Sequence, residues 1–317
     1  MAKIALAITG ATATGKTALG LEVARRLNGE IVSMDSRQVY RGMDIGTATP
    51  TAAEQSAIPH HGIDIVDPDE RYSAGRFSRD ARRWIAEIRR REHVPVLVGG
   101  TGFFLKSLID PLFSEPPMPE HRREQLKRYF KRVDIEEQRR WLAALDPVSA
   151  ARLAGEGGRQ RVSRALEVTL LTGRPFSWWR QASPPHEPAL DLLIFVLEMP
   201  RERLYEGINR RVDDMIERGL VDEVRSLVAA GYDETDPGMN ATGYIELLPY
   251  LRGEVSLEEA VDAIKRATRR YARRQMTWFR HQLPPDAIRL DAAAPLDELA
   301  TAVTEQWKKE VNSARRN

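Results

Sequence analysis

Gly10-Ala11-Thr12-Ala13-Thr14-Gly15-Lys16-Thr17 is the stretch on which the fold turns. It fits the pattern G-x-x-x-x-G-K-[ST]. An apolar run over 3–9 (KIALAIT) reads as a buried strand before it, and 17–27 (TALGLEVARRL) reads as a helix after it. That strand–loop–helix context separates the motif from a chance Gly/Thr-rich turn. Glycines let the backbone curl so that successive N–H groups point inward. The helix N-terminus adds positive potential, and Lys16 adds a point charge. The Thr17 hydroxyl is suited to ligate Mg²⁺. Gly10 to Thr17 are therefore expected to hold a polyphosphate.

Outward from this loop, strands and helices alternate. The pattern predicts strands at 30–34, 63–66 and 94–98, a loop rich in Gly, Thr and Pro over 42–62, and a helix over 74–91. Pro111, Pro116, Pro117 and Pro119 then crowd one short stretch. Beyond it lie only helical patterns, at 119–131, 135–144, 147–154 and 159–172, the last closed by Gly173. The apolar strand 191–199 resumes the alternation. Two helices stopped by Gly219 and Gly231 follow, then a loop with Asp236-Pro237-Gly238. Ser256 and Glu259 suggest a capping box that opens a helix running to about 281. A strand at 287–291 and a helix over 296–312 close the chain. The expected fold class is α/β, a P-loop NTPase-like parallel sheet core with an inserted all-helical domain. Residues 1–112 and 190–317 would form the core, and 113–189 the insertion.

Composition bounds what such a chain does. It has 317 residues, 42% apolar and 30% charged, as a globular protein does. No apolar run reaches the ~18–20 residues of a membrane span, and the first residues lack a secretory pattern. Cysteine is absent, which excludes disulfides, thiolate metal sites and a Cys nucleophile. A reducing cytoplasm is the expected compartment. The formal net charge of +2 argues against a nucleic-acid partner only until its distribution is considered. The stretch 264–281 (IKRATRRYARRQMTWFRH) carries Lys265, Arg266, Arg269, Arg270, Arg273, Arg274 and Arg280 without an acid, interleaved with Tyr271, Trp278 and Phe279. Like charges so close on a helix call for an anion, and aromatics can stack on bases. The alternative is a solvated charged face. Arg159, Arg161 and Arg164, and the run HRREQLKRYFKR over 121–132, add further basic surface.

Polar groups at other strand ends should meet the phosphate loop, because open α/β sheets bind ligands beyond the carboxyl ends of their strands. Asp35 follows the second strand and suits a metal ligand, a general base or a turn cap. Thr101, in Gly99-Gly100-Thr101-Gly102, lands near the phosphates or simply caps the next helix. Arg210 or Arg211 could reach a pyrophosphate, or pair with Asp213 or Asp214. The strand VPVLV ends in Gly-Gly-Thr where an NTPase of this type would carry an acid, which speaks against ATP hydrolysis. His60-His61 are adjacent and form a poor metal pair.

Several stretches together resemble the bacterial tRNA dimethylallyltransferases, also called tRNA isopentenyltransferases. They are the phosphate loop, Asp35-Ser36-Arg37-Gln38-Val39-Tyr40 with the following GMDIGTATP, and Gly99-Gly100-Thr101-Gly102. Arg161-Val162-Ser163-Arg164-Ala165-Leu166-Glu167-Val168, Gly243-Tyr244-Ile245-Glu246 and Arg274-Gln275-Met276-Thr277-Trp278-Phe279-Arg280 complete the set. The resemblance implies transfer of a dimethylallyl group from dimethylallyl pyrophosphate to the exocyclic amine of the adenosine 3′ of the anticodon in tRNA. It implies Mg²⁺ as cofactor, Asp35 as general base, and Thr101 and Arg211 as further groups at the pyrophosphate and adenosine. It also implies tRNA contacts at Asp35, Ser36, Arg37, Gln38, Thr101, Arg123, Gln160, Arg161, Val162, Ser163 and Arg164. Asn240, Gly243, Tyr244, Arg273, Arg274, Gln275, Trp278 and Arg280 extend that surface. A monomer without a membrane partner is expected. The chain departs from the family's usual residues at Ala11 (Pro), Thr14 (Ser), Thr49 (Lys) and Phe104 (Tyr). Two other readings stand beside this one: an isopentenyltransferase for free adenosine nucleotides, and a P-loop kinase or NTPase acting on RNA.

Overall fold

The computed structural model describes residues 5–111, 113, 116–155, 158–183 and 187–316. By internal contacts the chain divides into two compact units, Met1–Asp110 with Leu190–Asn317, and Pro111–Ala189.

In the first unit, β1 (Ala5–Gly10) leads through the phosphate loop into α1 (Lys16–Leu27), then β2 (Gly29–Ser33), α2 (Ala52–Ala57), β3 (His60–His61), α3 (Ala74–Arg90), β4 (Val94–Val98) and α4 (Gly102–Ile109). The second unit carries α5 (Glu120–Arg132), α6 (Ile135–Leu145), α7 (Pro147–Leu153), α8 (Arg159–Thr172) and α9 (Phe176–Ala182). The first unit resumes with β5 (Leu192–Glu198), α10 (Arg201–Glu217), α11 (Leu220–Ala229), α12 (Tyr244–Leu251), α13 (Leu257–Gln282), β6 (Ile288–Asp291) and α14 (Leu296–Arg316). The strands form one six-stranded sheet in the order β3-β2-β4-β1-β5-β6, and every pairing is parallel.

A parallel sheet covered on both faces needs continuous apolar strands, and β1 is buried along its whole length. Its residues alternate between two cores. Ala5 and Ala7 face Phe77, Trp84, Ile85 and Ile88 of α3 and Leu105 and Leu108 of α4. Leu6 and Ile8 face Leu19 and Val23 of α1 and Val303 and Trp307 of α14. A third cluster joins Val39, Tyr40 and Met43 to α10–α13 through Val212, Val224, Tyr244 and Ile264.

The local pattern departs from expectation in two places. The strand expected at 63–66 is displaced: His60 and His61 pair with Ile31 and Val32, while Val66 makes only a bridge to Tyr40. Ile65 and Val66 instead donate to the Val39 carbonyl, which holds them to the loop after β2. The expected loop over 42–62 contains α2, closed at its start by a Thr51–Glu54 capping box. It has no buried residue, so apolar periodicity gives it no signal.

The second unit closes around Phe130, Leu142, Leu153, Val162, Ala165 and Leu166. The buried side chains of Gln138 and Asp146 there are paired, as burial demands. Gln138 Nε2 donates to the Phe130 and Val133 carbonyls at 2.9 and 3.1 Å, and its Oε1 accepts from Ser163 Oγ at 2.6 Å. Asp146 accepts from Ser149 N at the start of α7 and from Ser177 N in α9, at 3.0 and 2.8 Å.

Candidate active site

β2, β4 and β1 are neighbours in the sheet, so the turns that follow them converge at one edge. The first turn is the phosphate loop. Gly10 has φ +145°, and a Cβ there would lie 2.6 Å from the Leu197 carbonyl oxygen of the adjacent strand. Only glycine lets the chain leave β1 at this angle. Thr14 Oγ1 and Lys16 Nζ both donate to the Ala11 carbonyl, at 2.9 and 2.5 Å, which curls the loop over the start of α1. Gly15 is the N-cap, with no side-chain cap, so the first amides of α1 are left for an anion. Thr17 is exposed beside them.

Asp35 belongs to the second turn. One carboxylate oxygen accepts from Arg37 N at 2.8 Å, so the turn-cap role is real. The other oxygen has no hydrogen bond among the described residues. The charge of Asp35 also acts on Lys16 and Arg211. Burial, and then the neighbouring Arg211, bring the Lys16 ammonium down to about 7, with Asp35 pulling the other way. Burial likewise lowers Arg211 from its ordinary value, against the pull of Asp35. Arg210, by contrast, is exposed. The alternative, an ion pair of either arginine with Asp213 or Asp214, is not found among the described residues, and Lys265 pairs with Asp213 at 2.5 Å.

Thr101 is the N-cap of α4, yet its hydroxyl makes no cap bond. Instead Oγ1 accepts from Ser36 N at 3.0 Å and lies 3.3 Å from Ser36 Oγ. That bond ties the third turn to the second. Helix α13 covers both turns with Tyr271, Gln275 and Trp278. Burial, and then the charge of Asp35, push the Tyr271 phenol up to about 12, with Arg37 and the Thr101 hydroxyl acting in the opposite direction. Tyr271 is therefore a protonated donor at neutral pH. Trp278 lies over Gly102, where a Cβ would come within 2.4 Å of the indole. Gln275 is 6% exposed; its Oε1 accepts from Thr12 N at 2.9 Å and its Nε2 donates to the Gly100 carbonyl at 2.8 Å.

This arrangement gathers two cations, a half-engaged carboxylate and free helix amides at one sheet edge. It can hold a diphosphate beside a group able to accept a proton.

Residues 38–282 match the sequence family described as IPP transferase, and residues 3–63 match one described as isopentenyl transferase. A tRNA dimethylallyltransferase of Geobacillus kaustophilus is 43% identical over 98% of this chain and 100% of its own length. One from Geobacter metallireducens is 48% identical over 86% of this chain and 88% of its own. The chain belongs to the tRNA dimethylallyltransferase family. Among solved structures, the tRNA isopentenylpyrophosphate transferase of Bacillus halodurans is similar with a TM-score of 0.70 at 38% identity, covering 98% of each chain. A eukaryotic dimethylallyltransferase acting on tRNA gives a TM-score of 0.79 at 28% identity, over 95% of this chain and 77% of that one. The chain is thus a prenyltransferase of the P-loop-like α/β class.

The family-derived RNA contacts divide once their surroundings are known. Arg273, Arg274 and Arg280 are exposed on α13, as is Arg270, and Arg274 lies over the Tyr271 ring at 5.7 Å. The basic stripe is less uniform than its sequence: Lys265 meets Asp213, Arg266 meets Asp262, and Arg269 donates to Asn209 Oδ1. Gln160 and Arg161 are exposed on the second unit. Arg123 and Arg164 there both pair with the buried Glu167, at 2.8 and 2.7 Å. Asn240 is exposed and donates to the Asp236 carbonyl.

At other expected contact positions the groups are engaged inside the protein. Val162 and Tyr244 are fully buried, since one fills the core of the second unit and the other the α10–α13 cluster. The Gln275 side chain is consumed by the two turns it joins. Gly243 N–H is taken by Glu246 in the capping box of α12. Arg37 Nη1 donates to the Pro237 carbonyl, and the Gln38 amide bonds Ser33 and Ala48. The substitution Phe104 stacks on Phe77 at 4.2 Å, where a hydroxyl would need a partner.

Sequence reasoning missed Glu223 altogether. Its carboxylate accepts from Asp44, Ile45 and Gly46 amides at 2.9, 2.7 and 3.1 Å and from the Tyr244 hydroxyl at 2.5 Å. It anchors the GMDIGTATP segment to α11, and nothing in its local sequence marks it.

Proposed function

We propose that the chain transfers a dimethylallyl group from dimethylallyl diphosphate to the exocyclic amine of the adenosine 3′ of the anticodon in tRNA, giving N6-isopentenyladenosine and diphosphate. One observation carries the reading: Asp35, with one carboxylate oxygen left unengaged, lies close enough to the phosphate-loop Lys16 and to Arg211 for its charge to act on both. The loop amides, Lys16 and Arg211 grip the diphosphate. As it departs, the allylic carbon gains positive character, and cations held on the leaving anion stabilise that separation. The amine of adenine is a weak nucleophile, so Asp35 takes its proton as the C–N bond forms. Thr101 is held in place by Ser36, and Tyr271 donates a hydrogen bond beside Asp35. A stacked adenine is out of reach, so the base is flipped out of the anticodon loop into the pocket.

A divalent cation fits the donors present. Thr17 presents an exposed hydroxyl without a hydrogen bond among the described residues, and no group of three or more acidic or His side chains forms a cage there. Thr17 would hold Mg²⁺ there, with the rest of its oxygen shell supplied from outside the protein. When bound, Mg²⁺ neutralises charge on the departing diphosphate.

The second unit, with Arg123, Gln160, Arg161, Ser163 and Arg164, and the exposed arginines of α13 contact the tRNA. We read the enzyme as a cytoplasmic monomer; no helix among the described residues is long and apolar enough to cross a membrane. Likeness over most of the chain to enzymes named for tRNA favours this acceptor over free adenylate, and over kinase or NTPase chemistry. The test offers purified protein, Mg²⁺ and labelled dimethylallyl diphosphate to unmodified tRNA, to AMP, and to ATP with small acceptors. Label should enter tRNA alone, and Asp35→Ala should lower turnover by about 10²-fold or more with tRNA affinity nearly unchanged. Label in AMP but not tRNA, or phosphate transfer without prenyl transfer, would overturn the reading.

A further inference from the structure

Gln275 lies in the segment whose neighbours carry exposed arginines, yet its own environment is different. The side chain is 6% exposed and both ends of its amide are spent. A buried amide is tolerated only when so paired. Its two partners belong to different active-site turns: Thr12 N–H lies within the phosphate loop, and the Gly100 carbonyl immediately precedes Thr101. The Thr12 amide therefore points into the protein, and a diphosphate must be held by the loop and helix amides that follow it. Tyr271, one turn earlier on α13, and Trp278, nearly one turn later, flank Gln275 on the same face. The fit is close on the Gly100 side, where a Cβ would fall 2.5 Å from Gln275 Nε2.

We propose that Gln275 is a positioning residue of the transfer reaction. It fixes the spacing between the phosphate loop and Thr101, and it makes no contact with RNA. Its acceptor oxygen sets where the loop backbone turns, and its donor nitrogen sets the height of the Gly100–Thr101 turn against it. Methionine at this position would keep the volume and lose both bonds. The kinetic consequence rests on the function proposed above; the binding consequence does not.

The experiment measures three quantities on Gln275→Met and on Gly100→Ala, whose methyl displaces the same amide while keeping it in the chain. They are affinity for inorganic diphosphate with Mg²⁺ by calorimetry, affinity for tRNA by filter binding, and turnover at saturating tRNA. Misplacement of the loop should raise the diphosphate Kd about tenfold and lower turnover about 10–100-fold, with the tRNA Kd held within about threefold. In a Gln275→Ala background the clash with the amide is gone and the nearest remaining atom is the Gly10 carbonyl oxygen, 3.3 Å from a Cβ at residue 100, so adding Gly100→Ala should cost much less diphosphate affinity than it does in wild type. A tRNA Kd raised more than tenfold, with diphosphate affinity and saturated turnover at wild-type values, would overturn the proposal. So would a full-sized Gly100→Ala effect in the Gln275→Ala background. A chain that never prenylates tRNA but still loses diphosphate affinity in these variants would sink the proposed function and leave this inference standing.

Discussion

Lys16 stands between opposed influences. Burial and Arg211 lower its affinity for a proton to about 7, and Asp35 partly restores it. In the free enzyme above neutral pH, much of the lysine is uncharged. A diphosphate favours the charged form, so its binding draws a proton onto Lys16. Binding coupled to proton uptake weakens as pH rises. The expected outcome is a diphosphate affinity that falls between about pH 7 and 8.5 more steeply in wild type than in Lys16→Met. Calorimetry in buffers of different ionisation heat checks it, and diphosphate's own titration cancels in the comparison. Identical buffer dependence in the two proteins would refute it. Lys16, Asp35 and Thr101 were legible as sequence because a motif or a strand end places each of them. The inward turn of Tyr271 and Gln275 was not, since a helix that is basic on one side has the same composition whichever residues face the protein.

The elements differ in how openly they declare themselves. Helix α13 begins where Ser256 and Glu259 cap each other's amides, a pairing readable from spacing alone. Helix α2 has an equally good cap but no apolar face, and it was lost. The arginines of α13 look equivalent in sequence and are not. Lys265 is compensated by Asp213 from α10, whereas Arg273 and Arg280 are exposed. Replacing either exposed arginine by alanine should weaken tRNA binding and reduce the slope of log Kd against log salt by about 1. Lys265→Ala should leave that slope close to wild type. Filter binding across a salt series decides it, and a slope that all three variants share would return α13 to a solvated charged surface.

At the scale of the whole molecule, the sheet has a reactive edge and a structural one. Asp35 follows the end of β2, and Glu30 lies near its beginning. Burial alone would raise the Glu30 carboxyl, but bonds from Arg91, His61 and His93 outweigh it and hold the group at about 2. A depressed carboxyl contributes stability above its unfolded value, about 4.5, and loses it as pH falls towards 2. Glu30→Gln should therefore cost about 2 kcal/mol at pH 7, with the gap to wild type closing over that acid range. Urea unfolding at a series of pH values measures it; a gap that persists at pH 2 would show that the bonds are not electrostatic in origin. The parallel core was visible in the apolar runs, but the lateral order of its strands was not, because pairing partners are remote in sequence. That order matters during synthesis. Strand β1 pairs with β5 from Ala5↔Leu192 to Gly10↔Leu197. Strand β1 thus waits for nearly two hundred residues of synthesis before its second neighbour exists. The helices of Pro111–Ala189 are complete before that neighbour emerges, so the interrupting unit is free to fold ahead of the sheet it interrupts. Until then the edge of β1 that will meet β5 is an open apolar strand edge, and the nascent chain is most exposed to misassociation at the strand that carries its phosphate loop.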